Sequence, residues 1–312
     1  MKSSKPPKSK RSHGTVGLDV DSAFLAAVQV EAGAVVRAVS TELAPGIVNE
    51  GEVVNSEALS ERLQRFFKDN GLPRRVRLGV SNQQIVVRYL EVPKLDDPKA
   101  LDAAVRFQAA EAIAMPLDEA ILDHQVVGET MSAEGRPVLR AVVVAARSSM
   151  VDRFIEAVRR AGLRPEGIDL SAFALVRTLT MRSAPDEGAN VLCHLGGTTN
   201  LAIALAHTCL FTRPLSTSLE EEGEHVGAAL AEEIRMSIDF YATQADAPMV
   251  ETVRLSGPGA VREGLAEELS AMIGLPVAVS EPLGGLDIGD LATQENPYRH
   301  TVAAGLALGA AA

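Results

Sequence analysis

The sequence contains no tryptophan and only two cysteines, Cys193 and Cys209, among its 312 residues. Two cysteines do not make a disulfide framework, so we expect a protein of a reducing compartment, the cytoplasm. Aromatic residues make up 4% of the chain and apolar residues 46%, so the cores must be built from aliphatic side chains and alanine. A chain of this length can bury two substantial cores.

The sequence also lacks long apolar runs and a surplus of basic residues. No run approaches the roughly 20 residues of a membrane helix. The formal net charge of -11 excludes a general nucleic-acid binder, because phosphates would be repelled over most of the surface. Basic residues cluster in a tail at 1–13, which has no apolar core and is not a secretory signal. We expect this tail to be disordered and solvated; contact with anionic lipid is the alternative.

Two parts of the chain share the order strand, polar turn, strand. The first lies at 14–30 and the second at 191–206, and a polar, breaker-rich segment at 185–188 separates them. The pattern predicts a first lobe at 14–185 and a second at 186–300, a repeat of topology that suits a two-lobed phosphate clamp. A mixed α+β block at about 76–164 is inserted in the first lobe, and 301–312 forms a C-terminal helix that packs back on it. Helical spacing predicts further helices at 56–70, 97–114, 149–161, 168–182, 227–241 and 261–273.

The turn in the first strand pair is a candidate phosphate and metal site. It contains Asp19, Asp21 and Ser22, and its N–H groups and hydroxyl can point at phosphate oxygens. Asp19 is suited to orient a hydrated Mg²⁺ that bridges those oxygens. The same residues also suit an ordinary hairpin, in which Asp and Ser stabilise the turn by local hydrogen bonds.

Two further turns contain glycines in the second lobe. In the second turn, paired glycines allow close approach of the backbone to a phosphate and two threonines add donors; the residues are Gly196, Gly197, Thr198 and Thr199. In the third, Gly257 and Gly259 follow a strand, and the backbone there can lie flat against a base or ribose. Each turn is a weak signal alone, since Gly-Gly between strands is common.

The order of these turns is that of the actin-like ATPase superfamily, and the chain resembles the PilM family of type IV pilus assembly proteins, relatives of the division protein FtsA. The resemblance covers nearly everything from Gly14 onward. Its carrying stretches are VRYLEVPKL, RFQAAEAIAMPLDEAILDHQV, VVVAARSSMVDRFIEAVRRAGLRPEGIDL, LGGTTNLAIA, LFTRPL, EEIRMSIDFY and LSGPGA. It implies an α/β fold of the actin-like, ribonuclease H-like type with two lobes, the inserted subdomain and an ATP/Mg cleft. Glu233 and Ser237, four residues apart on a helix, would face that cleft; a solvated Glu and a packed Ser are the alternative.

Three departures from the family pattern weaken the nucleotide site. Asp21 stands where the family usually has glycine, and its carboxylate would repel phosphate oxygens. His194 stands where the family usually has an aspartate, and a neutral imidazole is a poor Mg²⁺ ligand. The segment near 214–231, which builds a fourth subdomain in the family, is shorter here, so we expect that subdomain to be reduced. Losing one preorganised electrostatic group costs on the order of 10²–10³ in rate, so we expect no efficient ATP hydrolysis and assign no catalytic residue.

The resemblance therefore implies a cytoplasmic scaffold of the pilus inner-membrane platform. Its partner would be the N-terminal peptide of a PilN-like membrane protein, bound between the first subdomain and the inserted one, and the protein would couple the platform to the motor ATPase. Contact with the membrane would run only through such partners, and no short motif marks the groove residues. The alternatives are an active ATPase or kinase of the superfamily, and an FtsA-like or secretion-platform actin homologue. The chain ends at 306–312 without the cationic residues of an amphipathic membrane helix, which disfavours the FtsA-like alternative.

Overall fold

The computed structural model describes residues 14–132, 135–182, 188–217, 226–244, 247–286 and 296–309. The predicted tail at 1–13 and most of the predicted linker at 185–188 lie outside these residues. The described residues form three sheets of three or more strands, one short hairpin and seven α-helices. None of these helices is long and apolar enough to cross a bilayer.

The first lobe is built on a five-stranded sheet. Its strands are β1 (Val16–Val20), β2 (Phe24–Glu31), β3 (Ala34–Glu42), β6 (Arg75–Val80) and β10 (Arg164–Leu170), in the order β10-β6-β1-β2-β3. The first three strands form antiparallel pairs, whereas β6 and β10 run parallel to β1. A two-stranded hairpin, β4 (Val48–Asn49) with β5 (Glu52–Val53), precedes helix α1 (Ser56–Asp69).

The second lobe repeats this topology strand for strand. Its strands are β11 (Ala189–His194), β12 (Asn200–Leu205), β13 (Thr208–Pro214), β14 (Val250–Ser256) and β15 (Val277–Val279), in the order β13-β12-β11-β14-β15. Again three strands form antiparallel pairs and the last two are parallel. Because the order is the same, the β1–β2 turn and the β11–β12 turn occupy equivalent places in the two lobes.

The inserted sheet has three antiparallel strands, β7 (Val86–Pro93), β9 (Pro137–Arg147) and β8 (Ala120–Met131), in that order. Helix α2 (Pro98–Ala112) begins at the Asp97 cap and packs on this sheet through Val105 and Ala109. This unit is narrower than the predicted block of 76–164. Strand β6 and helix α3 (Ser148–Arg160) instead pack in the core of the first lobe, because the apolar face of α3, with Phe154 and Val158, meets α1 and the sheet.

Two helices lie between the lobes. Helix α4 (Ser171–Leu179) packs through Leu175 and Leu179 on β12 of the second lobe. Helix α7 (Thr301–Gly309) packs on β2 of the first lobe and, through Val302 and Leu306, on α4. In the second lobe, α5 (Val226–Ala242) and α6 (Leu265–Ile273) cover the other face of the sheet. The lobes are therefore joined through a buried helical layer, which fixes how their turns face each other.

The helix predicted at 168–182 begins three residues later than expected. Residues 164–170 form β10, and α4 starts at Ser171. The reason is tertiary, since β10 pairs in parallel with β6 over Arg75–Val80. The helix predicted at 261–273 likewise starts later, at Leu265, after a 3₁₀ turn at Pro258–Val261. The reduced segment near 214–231 lies partly outside the described residues and stays a prediction.

Candidate functional site

The first predicted turn is a tight connection between β1 and β2. The Asp21 N–H donates to the Phe24 carbonyl at 3.0 Å, and the Ala23 N–H donates to Asp21 Oδ1 at 2.8 Å. Asp21 therefore stabilises its own turn by local hydrogen bonds, as predicted if this segment is an ordinary hairpin. The local bond also fixes the direction in which the carboxylate points.

That direction is toward the second predicted turn. The Gly197 N–H donates to Asp21 Oδ1 and the Thr198 N–H to Asp21 Oδ2, both at 3.0 Å. The glycines allow this approach, because a Cβ on Gly196 would lie 2.8 Å from Asp21 Oδ2 and one on Gly197 would lie 2.5 Å from Oδ1. The two turns thus contact each other directly, and the Asp21 carboxylate uses two of the amides predicted to bind phosphate.

Two buried ionisable groups lie beside this contact. Burial first, and then the Asp21 carboxylate, raise the pKa of Asp19 well above its ordinary value. Burial lowers the pKa of His194 to about 4, so the imidazole is neutral at pH 7. Its Nδ1 lies 3.1 Å from Ser256 Oγ, and its Nε2 has no hydrogen-bond partner within the described residues. A carboxyl that resists ionisation and a neutral imidazole form a poor site for Mg²⁺.

The third turn packs against the second one. Gly257 has a φ of 86°, and a Cβ on it would lie 2.5 Å from the Leu195 carbonyl oxygen. The Gly259 N–H donates to the same oxygen at 3.0 Å. Close backbone approach therefore explains Gly257 without a ligand. In the second turn, Thr199 is buried and its carbonyl accepts from Leu215 N–H at 2.8 Å.

Glu233 and Ser237 form hydrogen bonds within the second lobe. The Glu233 carboxylate accepts from the Ser216 N–H at 2.9 Å, and the Ser237 hydroxyl donates to the Glu233 carbonyl at 2.7 Å. Ser237 is fully buried. Ser22, from the first turn, contacts the position where Gly197 would carry a Cβ. Roles for these three residues in nucleotide binding stay predictions.

Sequence reasoning missed the residues that close the cleft from its other side. Ser81 follows β6 in the first lobe and its hydroxyl donates to Asn200 Oδ1 at the start of β12. Asn82 donates through Nδ2 to the Glu50 carbonyl at 2.8 Å, and Gly51 packs against the Ser81 carbonyl. The repeated topology could have identified Ser81 as a cleft residue, because Ser81 follows β6 just as Gly257 follows the equivalent strand, β14.

The remaining space in the cleft is small. A cavity of about 10 Å³ lies among side chains of both lobes and has room for about one water molecule. Its lining residues include Asp19, Asp21, Ser81, His194 and Thr198. Within the described ranges, no group of three or more His, Cys, Asp and Glu side chains is placed to hold a metal ion. The residues in this arrangement do not fit a nucleotide phosphate with its Mg²⁺.

The family described as "Type IV pilus assembly protein PilM" matches residues 17–217 and 226–311, which is most of the chain. The chain belongs to this family. Among solved structures, the "PilM-PilN type IV pilus biogenesis complex" is similar at 25% identity and a TM-score of 0.80, with 96% of this chain and 99% of that chain covered. The predicted membership in the PilM family is confirmed.

More distant structures share the fold alone. The ethanolamine utilization protein EutJ from Carboxydothermus hydrogenoformans is 13% identical, with a TM-score of 0.53 and coverage of 97% of this chain and 90% of that one. MreB5 of Spiroplasma citri, in a structure bound to ADP, is 9% identical, with a TM-score of 0.52 and coverage of 95% and 96%. The predicted actin-like α/β fold is thereby confirmed.

Proposed function

We propose that this PilM family member is a cytoplasmic scaffold of the type IV pilus inner-membrane platform, which binds the N-terminal peptide of a PilN-like membrane protein. The observation that carries the proposal is the likeness to the PilM-PilN complex over 96% of this chain and 99% of that one. Membrane contact runs through such partners, and the scaffold connects the platform to its motor.

A shallow groove where the inserted sheet meets both lobes, with a cavity of about 20 Å³, is our candidate for part of the peptide site. Its apolar lining comes from β6, β7 and β10, through Val80, Val87 and Leu170. Ser81 and Asn200 add polar groups at the base. A groove with an apolar floor and polar groups suits an extended peptide, which binds by main-chain hydrogen bonds and a few apolar side chains.

Calorimetry with the synthetic N-terminal peptide of the PilN-like protein from the same organism tests the proposal. We expect binding to the wild type and a loss of at least about tenfold in affinity for Val87→Asp, because a charge would enter the apolar floor. Val36→Asp is the matched control, since Val36 lies on strand β3 and the residue is 46% exposed. Absence of peptide binding to the wild type would overturn the scaffold proposal, and equal affinities for the two variants would overturn the groove.

We further infer that this chain does not turn over ATP. Support comes from burial, which raises the pKa of Asp19 and so disfavours the ionised carboxylate that would ligate Mg²⁺, from the neutral imidazole of His194, and from a cavity of about 10 Å³, which is small for a phosphate. ATP binding without turnover requires a different arrangement of the two lobes. Phosphate release from Mg-ATP by purified protein, compared with Asp19→Ala, is the test. Turnover that disappears in the variant would show an active ATPase instead.

A further inference from the structure

The Asp21 carboxylate bridges the two lobes through backbone amides. Its Oδ1 accepts from Gly197 N–H and its Oδ2 from Thr198 N–H, at 3.0 Å each, across 176 and 177 residues of chain. Successive N–H groups of a glycine turn form a concave site for an anion. The anion in that site is a side chain of the same protein.

We propose that Asp21 is a built-in substitute for a nucleotide phosphate and holds the two lobes together without any nucleotide. A carboxylate and a phosphate both present anionic oxygens to such amides. Bonds from neutral N–H groups to an ionised acceptor are among the stronger hydrogen bonds in proteins. The substitute occupies the donors that a phosphate would need.

Tethering gives the carboxylate an advantage over any free anion. A ligand attached by a short flexible linker reaches an effective concentration in the millimolar range, and a rigid attachment in the correct geometry exceeds it. Asp21 is rigidly attached, because its turn is closed by the bonds from Ala23 N–H to Oδ1 and from Asp21 N–H to the Phe24 carbonyl. A free phosphate must displace a preorganised internal ligand.

Space excludes simultaneous binding. The cavity beside Asp21 has a volume of about 10 Å³, and a Cβ on Gly196 or Gly197 would already lie within 2.8 Å of the carboxylate oxygens. A phosphate group therefore enters only when the Asp21 side chain leaves. The two anions are mutually exclusive ligands of the same amides.

A second contact between the lobes places the peptide groove next to this closure. The hydrogen bond from Ser81 to Asn200 joins the lobes, and both residues line the cavity beside Asp21 and the candidate groove. Holding the turns together thus also fixes one wall of the groove relative to the other. The lobe closure follows from the contacts at Asp21 and does not depend on which peptide the groove binds.

Hydrogen exchange of residues 195–200, followed by mass spectrometry on the full chain, tests the inference. We expect Asp21→Asn to lose about tenfold or more of the wild-type protection there, because the Nδ2 group that replaces one carboxylate oxygen cannot accept an N–H bond and the side chain carries no charge. Asp239→Asn is the control, since Asp239 is an exposed aspartate on α5. Unchanged protection in Asp21→Asn would overturn the proposal.

Anion rescue separates a phosphate substitute from an ordinary structural bond. Asp21→Gly removes the side chain and frees the amides, so millimolar inorganic phosphate is expected to restore protection of 195–200 in this variant and to leave the wild type unchanged. Acetate, which is the deleted side chain as a free ion, is the second probe. Protection that falls in Asp21→Gly and that neither ion restores would overturn the substitute role. If Asp21→Gly loses protection throughout the chain, the same two ions are tested on Asp21→Ala, which also removes the carboxylate, and the absence of rescue there would overturn the substitute role.

Discussion

Gly17 is a position at which a single methyl group tests how closely helix α7, which lies between the lobes, packs on the first lobe. It lies in β1, two residues before Asp19, and faces the buried helix α7. A Cβ on Gly17 would overlap the Ala303 carbonyl oxygen and lie 2.5 Å from Ala307 N. Moving that nitrogen from 2.5 Å to the 3.4 Å at which ordinary contact begins requires a shift of at least about 0.9 Å in the helix backbone.

We expect Gly17→Ala to destabilise the protein by about 3 kcal/mol, the upper end for overpacking, because helix backbone and not a flexible side chain must move. Helix α7 also packs on α4, so the shift disturbs both lobes. Gly128→Ala is the matched control: Gly128 is also in a strand, and a Cβ there meets nothing within 4 Å. Its effect is expected to stay within about 0.5 kcal/mol. Urea unfolding followed by circular dichroism measures both, and equal midpoints for the two variants would refute the close packing of α7 on β1.

Three further substitutions probe buried charge. Burial, and then a neighbouring carboxylate, raise the pKa of Asp19, so the native state holds more protons than the unfolded state above pH 3.8 and loses stability as the pH rises through the folded pKa. Asp19→Asn should therefore be more stable than the wild type at pH 7. A lower urea midpoint for the variant would contradict this. Burial lowers the pKa of His194 from 6.5 to about 4, so the unfolded state takes up a proton first as the pH falls. The free energy of unfolding of the wild type should therefore fall by on the order of 3 kcal/mol between pH 6.5 and pH 4, whereas that of His194→Asn should not. Parallel pH profiles of the urea midpoint in the two proteins would argue against this. Arg177→Met removes a 3.0 Å hydrogen bond to the largely buried Asp169 and should lower the free energy of unfolding in urea by about 2–3 kcal/mol. The control is Arg160→Met, which removes an exposed ion pair with Glu156 and should lower it by less than about 1 kcal/mol.

Helices with complete local signals were predictable from the sequence. The helix predicted at 56–70 is α1, Ser56–Asp69, with Asn55 accepting from the Ala58 N–H at its start. The helix predicted at 97–114 is α2, Pro98–Ala112, capped by Asp97. In both, the cap residue and the apolar spacing occur within one short stretch, so no distant contact is needed to define the element.

Elements that depend on distant pairing were not predictable in the same way. Strand β10 contains Pro165 and Gly167, which disfavour strands, and it is a strand because β6 lies beside it. Strand β13 was not predicted, and it pairs with β12 over Thr208–Pro214. The extent of the inserted unit likewise depends on the core in which helix α3 packs. The sequence of α3 shows only that the helix is amphipathic.

The site shows the same division between local and distant information. The first and second predicted turns are turns, and the Asx-type bond from Ala23 N–H to Asp21 is the local alternative that the residue types suggest. The bonds from Gly197 and Thr198 to Asp21 join residues 176 and 177 positions apart, so no local pattern contains them. The duplicated strand order was the one feature of the sequence that placed the two turns in equivalent positions.

The Asp21 contact also changes what the departure at this position means. From residue types alone, a carboxylate in a phosphate turn indicates repulsion of phosphate and so a damaged site. In the folded protein the same carboxylate is a ligand, because two backbone N–H groups of the opposite lobe surround it. A damaged site would leave those partly buried amides without this acceptor. The Asp21 carboxylate satisfies both amides, so the closed cleft no longer needs a nucleotide to stabilise it.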